Sequence, residues 1–108
     1  MAASLEEIRK AFCSGTWDFT GHGAVKALKH GLREEAIRAA ICEDSPEIIE
    51  DYPGDERGPA CLVLGWLDLA RPLHVEVGYG NDPAYWMDVI TVYDPEPNEW
   101  YNYRRRKR

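Results

Sequence analysis

Ala60-Cys61-Leu62-Val63-Leu64-Gly65-Trp66-Leu67, followed after a short break by Leu73-His74-Val75-Glu76-Val77-Gly78-Tyr79, decides how this chain folds. The first run is apolar at nearly every position, as a strand covered on both faces must be. The second alternates. Leu73, Val75, Val77 and Tyr79 fall on one side, and His74, Glu76 and Gly78 on the other, which is the period of two of a β-strand. Asp68-Leu69-Ala70-Arg71 turns the chain between them. Outward in both directions the same period holds. Glu47 to Tyr52 reads as a strand, and Pro53-Gly54-Asp55-Glu56-Arg57-Gly58-Pro59 as the loop after it. Gly80-Asn81-Asp82-Pro83 is another turn, Trp86 to Tyr93 a last strand, and Asp94-Pro95-Glu96-Pro97 its end. Asn98 to Arg108 is expected to be a short helical or extended tail. Short links between successive strands favour an antiparallel meander.

Upstream of Ser45-Pro46 the apolar period is 3.6. Ser4-Leu5-Glu6-Glu7 has the form of a capping box, with Leu5, Ile8 and Phe12 on one helical face and Gly15 as a stop. Trp17-Asp18-Phe19-Thr20 reads as a short extended piece, with Thr20 the N-cap of a second helix from His22 to His30. Ala24, Ala27 and Leu28 are expected on the inner face of that helix, Gly31 at its C-cap, and Gly21 and Gly23 weaken its first turn. A third helix is expected from Arg33 to Glu43. Its apolar stripe is Ala36, Ile37, Ala40 and Ile41, and Glu34 is placed to pair with Arg38. The reading is one α+β domain over residues 1–108: N-terminal helices packed on a twisted antiparallel sheet, with a core over 3–103 and a basic tail over 104–108.

Composition narrows the classes further. No apolar run reaches the roughly 18–20 residues of a membrane helix. Glu6 and Glu7 stand where a secretion signal would be basic and then apolar, so a cytoplasmic protein is expected. Cys13, Cys42 and Cys61 are far apart and odd in number, and are expected to be reduced and mostly buried. The net charge is −6. Arg104 to Arg108 carries five of the 13 Lys and Arg, leaving eight against 19 Asp and Glu in residues 1–103, a charge of −11. A body this acidic repels phosphates overall. The basic end suits either a contact with nucleic acid or an acidic partner, or a frayed solubilising tail. Glu47, Glu50, Asp51, Asp55 and Glu56 form an acidic strip without metal-ligand spacing, and no metal or cofactor is expected. The chain has no Walker loop, no HExxH, no GxSxG and no Rossmann glycine pattern.

Four stretches together carry a resemblance: Ile48-Ile49-Glu50-Asp51-Tyr52-Pro53, Cys61-Leu62-Val63-Leu64-Gly65, Arg71-Pro72-Leu73-His74-Val75, and Val89-Ile90-Thr91-Val92-Tyr93-Asp94-Pro95 with Glu99-Trp100. With Phe19-Thr20-Gly21-His22 and Gly31-Leu32 upstream, their order resembles a bacterial and archaeal family, number 4258 among the domains of unknown function. That family is similar in layout to small RelE-like and MqsR-like toxins, which cleave RNA. The resemblance therefore implies a RelE/MqsR-toxin-like fold, single-stranded RNA as a target and a zinc-finger antitoxin of the MqsA type as a partner. The family pattern has arginine where this chain has Gly21, and arginine again where it has Lys26.

Metal-free RNA cleavage needs a base for the 2′-hydroxyl, a cation for the phosphorane and an acid for the 5′-oxygen. His74, His22 and Tyr93 are the candidates for proton transfer, and Arg71, Lys26, Arg104, Arg105 and Arg106 for binding RNA. His74 is either an acid/base group whose pKa Glu76 raises or a histidine packed for structural reasons. His22 opens the second helix and could instead bridge it to the sheet. His30, near a helix C-terminus, is expected to be a favourable surface charge. Tyr93 could stack a base, donate a proton or simply pack, and Arg71 could clamp a phosphate or pair with Asp68. Trp100, Tyr101 and Tyr103 interleave with the arginines, as single-stranded RNA binding or docking on a core would both require. Two functions stand side by side: a toxin-type RNA endonuclease or a degenerate relative of one, and a non-catalytic protein-binding module or homodimer.

Overall fold

A computed structural model describes residues 2–68, 70–81 and 83–108. Helix α1 spans Leu5–Ser14. Its start is the expected cap: Ser4 Oγ accepts from the Glu7 backbone N–H at 3.3 Å. Its end is Gly15, whose φ of +80° is the left-handed geometry of a helix stop. Strand β1 is Trp17–Phe19, α2 is Gly21–Lys29 and α3 is Glu34–Cys42. Then follow β2, Glu47–Tyr52; β3, Ala60–Leu67; β4, Arg71–Gly78; and β5, Met87–Tyr93. Two short strands close the chain, β6 at Trp100–Tyr101 and β7 at Arg105–Arg106. No helix among the described residues is long and apolar enough to cross a membrane.

The main sheet has the order β1-β5-β4-β3-β2. β2 to β5 form the antiparallel meander that short loops favour. β1 departs from the expected all-antiparallel sheet: it pairs parallel to β5, with Trp17 opposite Met87 and Phe19 opposite Val89. The sheet is therefore mixed. A parallel neighbour needs a long crossover, and here two helices and three strands lie between β1 and β5.

One sheet face is packed by helices. Ile8 and Phe12 of α1 and Ile37 and Ile41 of α3 are fully buried with Val63, Val75, Val77 and Val89. The alternation of β4 sorts as expected: Leu73, Val75, Val77 and Tyr79 join this core. On the opposite face, the strand register aligns Leu64, His74 and Tyr93 in one row and Leu62, Glu76 and Thr91 in the next.

The inner face of α2 differs from the expected one. Gly23 and Ala27 are buried, while Ala24 is exposed and Leu28 is 83% exposed. The reason is how closely α2 approaches β5. A Cβ on Gly23 would lie 2.1 Å from the Val89 carbonyl oxygen. Thr20 fixes that approach, since its Oγ1 accepts from the Gly23 N–H at 3.0 Å and reaches the Ile90 carbonyl at 3.2 Å. Only the smallest residues fit between a helix and a strand edge this close, so the larger Leu28 is turned outward. Arg38 is also placed differently: it faces Glu43 at 3.6 Å and the Cys13 carbonyl at 3.5 Å rather than Glu34.

Two cysteines are not reduced. Cys13 and Cys42 form a disulfide, with Cα atoms 5.2 Å apart. Each sits in the last turn of a helix, and α1 packs against α3, so 29 residues of separation close to contact. Cys61 is the free, buried thiol, and burial pushes its pKa up to about 12.

Candidate functional site

The C-terminal segment folds back as a hairpin. β6 and β7 pair antiparallel, Trp100 with Arg106 and Tyr101 with Arg105. Asn102 and Tyr103 turn the chain with φ of +51° and +62°, in a three-residue connection where the Arg104 N–H donates to the Tyr101 carbonyl at 2.9 Å. Two ion pairs hold the hairpin to β2: Arg104 grips Glu47 at 2.6 Å and Arg106 grips Glu50 at 2.9 Å. Trp100 is 4% exposed, and the Arg106 guanidinium lies 4.7 Å from its ring centroid. The basic end is thus ordered and has two sides. Arg104 and Arg106 are engaged with the sheet, whereas Arg105 and Lys107 flank the half-exposed ring of Tyr101 at 5.0 and 5.2 Å.

The acidic strip is engaged as well. Besides Glu47 and Glu50, Asp51 accepts from the Tyr79 hydroxyl at 2.6 Å and from the Ala3 N–H at 2.9 Å, and Asp55 accepts from Arg57. Among the described residues no cluster of three or more His, Cys, Asp or Glu is placed to hold a metal ion.

His74 lies under the hairpin with no exposed surface. Its Nε2–H donates to the Tyr103 carbonyl at 2.7 Å, and its Nδ1 accepts from the Tyr93 hydroxyl at 3.2 Å. The Trp100 ring meets it edge-on at 4.4 Å. Both ring nitrogens are in use. Burial holds its pKa below the usual histidine range, partly offset by the Tyr103 carbonyl. Glu76 lies two residues along the same face without bonding to His74. Its own carboxyl is pushed up by burial, with Arg57 and His22 pulling it down.

At the C-terminal end of β5 a second group assembles around a cavity of about 420 Å³. Lys26 and Lys29 of α2 and His30 at its C-cap line one side, and Tyr93, Trp100 and Arg106 the other, together with the carboxylates of Asp94, Glu96 and Glu99. His30 Nδ1 lies 3.1 Å from Asp94 Oδ2. Arg71, read from the sequence as either a phosphate clamp or a partner of Asp68, clamps Asp94 from the far side, with Nε to Oδ1 at 2.7 Å and a terminal nitrogen to Oδ2 at 3.0 Å. The same guanidinium donates to the His30 carbonyl at 3.2 Å, tying the end of α2 to the sheet. Arg71 first, and His30 after it, hold the Asp94 carboxyl below the usual carboxylate range. Among the described residues neither Lys26 nor Lys29 makes an ion pair. From Phe19 to Arg33 there is no Asp or Glu, in a chain whose body is strongly acidic.

Of the residues singled out in the sequence, the fold therefore gathers Lys26, Tyr93 and Arg106 at one cavity, with Arg71 behind its Asp94. It puts His74 beneath the hairpin and leaves His22 exposed on the first turn of α2. Arg104 and Arg105 point to different surroundings, one to Glu47 and one to Tyr101. His30 and Asp94 were not foreseen as a pair. They are 64 residues apart, and no local spacing announces them.

The profile of the family described as "Domain of unknown function (DUF4258)" matches residues 19–94. The chain belongs to this family. No curated protein and no solved structure matches the chain significantly. The family span opens at the end of β1 and closes on Asp94, so it contains His22, Lys26, His30, Arg71, His74 and Tyr93. The hairpin that seals His74 lies outside the family span.

Proposed function

We propose that this protein binds single-stranded RNA in the cavity between α2 and β5, as a RelE/MqsR-toxin-like RNA endonuclease or a degenerate relative of one. The observation that carries the reading is the acid-free α2, which presents Lys26 and Lys29 beside the half-buried ring of Tyr93. Cations without carboxylate partners attract the phosphate backbone, and aromatic rings suit unpaired bases. A RelE/MqsR-like layout, which the sequence resemblance implies, would favour RNA over other polyanions. The sealed state of His74 argues that any proton transfer is done by residues that line the cavity instead.

The test is anisotropy of a labelled single-stranded RNA at about 50 and 200 mM salt. Binding is expected to weaken with salt. Lys26→Ala with Lys29→Ala should lower the slope of log K against log salt by about 0.7 for each phosphate that is no longer neutralised. Salt-independent binding, or wild-type affinity in the double variant, would refute the site.

A second reading has its own observation. Val25 is 65% and Leu28 83% exposed on α2, an apolar surface suited to a protein contact. It fits a protein-binding module or homodimer, or an antitoxin of the MqsA type placed over the cavity. Charged substitutions at Val25 and Leu28 that leave RNA affinity intact but abolish self-association or partner capture would favour it.

A further inference from the structure

Three histidines are present, and their surroundings differ in one decisive respect. His74 has both nitrogens bonded and no exposed surface. His22 is exposed, with no hydrogen bond fixing its ring among the described residues. His30 is held by one nitrogen only. Asp94 is kept ionised by Arg71, so its oxygen accepts and the His30 Nδ1 must carry the proton. That tautomer leaves a lone pair on Nε2, which makes no hydrogen bond with any described residue. The ring is partly open, with 23% of the side chain exposed, and it lines the same cavity as Lys26, Lys29 and Tyr93. A carboxylate on one imidazole nitrogen and a free lone pair on the other is the arrangement of an oriented base.

We propose that His30 is the proton-transferring residue of this cavity, with Asp94 as its positioning residue, acting on a phosphodiester of single-stranded RNA. The substrate class rests on the reading of the cavity given above; the choice of residue rests on the geometry of the three histidines. In the step, His30 Nε2 takes the proton of a ribose 2′-hydroxyl. The 2′-oxygen forms a bond to phosphorus as the bond from phosphorus to the 5′-oxygen breaks. Lys26 gives a proton to the departing 5′-oxygen and regains one from solvent, and His30 releases its own to solvent. The products are a 2′,3′-cyclic phosphate and a 5′-hydroxyl, with no oxidant, reductant or metal consumed. Lys29 opposes the charge that gathers on the phosphorane oxygens.

The experiment follows cleavage of a labelled single-stranded RNA and, in parallel, binding of the same sequence with 2′-deoxyribose, which has no hydroxyl to activate. His30→Gln should lower the cleavage rate by about 100-fold or more while binding of the deoxy strand is unchanged. Unchanged binding also certifies that the variant is folded. Asp94→Asn should lower kcat with KM unchanged, as expected of a group that acts by orienting another. Wild-type cleavage by His30→Gln overturns the assignment. If the wild-type protein binds the deoxy strand but leaves RNA whole, the role of His30 falls and the binding reading stands. If it binds neither strand, both fall.

Discussion

The His74 imidazole donates to the Tyr103 carbonyl at 2.7 Å, joining the middle of β4 to a residue with φ of +62° in the hairpin turn. A left-handed tyrosine is unfavourable by itself, so the surrounding contacts must hold it. The bond to His74, the edge contact of Trp66 with Tyr103 at 6.0 Å and the ion pairs of Arg104 and Arg106 do so.

His74→Ala should therefore act on stability. It removes two buried hydrogen bonds, leaves the Tyr103 carbonyl unpaired and opens a void under Trp100. The expected cost is about 2–4 kcal/mol, read from urea unfolding. His74 also links stability to pH. Its folded pKa is depressed, so the stability it contributes is complete above the unfolded value of about 6.5 and is lost as pH falls through the folded value. A His74→Gln variant should show a flatter stability profile below about pH 6.5.

Gly23 and Gly21 should respond in opposite senses. Gly23→Ala drives a methyl into the Val89 carbonyl and should lower stability by about 3 kcal/mol or prevent folding. A Cβ on Gly21 meets nothing within 4 Å, so Gly21→Ala should be neutral or raise stability by up to about 1 kcal/mol. Thermal melting of the two variants side by side checks both.

Asp94 provides a separate acid-side dependence. Arg71 lowers its folded pKa, so its stabilisation is present above the unfolded value of about 3.9 and is lost as pH falls through the folded value. The carboxylate is 39% exposed, which limits the contribution to about 1 kcal/mol or less. Asp94→Asn should lose stability at neutral pH and show little of the wild-type decline below about pH 4; an unchanged acid limb would contradict this.

The Cys13–Cys42 bridge spans 29 residues. Closing a loop of that length in the unfolded chain corresponds to about 3.6 kcal/mol. Cys13→Ser with Cys42→Ser should lower the urea midpoint accordingly, and added reductant should no longer affect the variant. Equal midpoints for the wild type with and without reductant would show that the bridge contributes nothing.

Local patterns in the sequence determined a large part of this protein. The change of apolar period after Ser45-Pro46 separated helices from strands. Ser4, Gly15 and Thr20 announced helix ends through side-chain oxygens or left-handed freedom, which act within a few residues. The alternation of Leu73, Val75 and Val77 against His74 and Glu76 assigned both faces of β4 because side-chain direction follows backbone period alone. What depended on distant approach was decided only in three dimensions. β1 became a parallel neighbour of β5, Cys13 met Cys42, and α2 turned Leu28 outward because Gly23 lies against Val89. The site divides in the same way. Lys26, Arg71 and Tyr93 were visible as residue types with suitable chemistry. That His74 is sealed by a hairpin, and that His30 is held by Asp94 and Arg71, depends on partners 29, 64 and 41 residues away. No periodicity or motif encodes such distances; packing of the whole chain sets them.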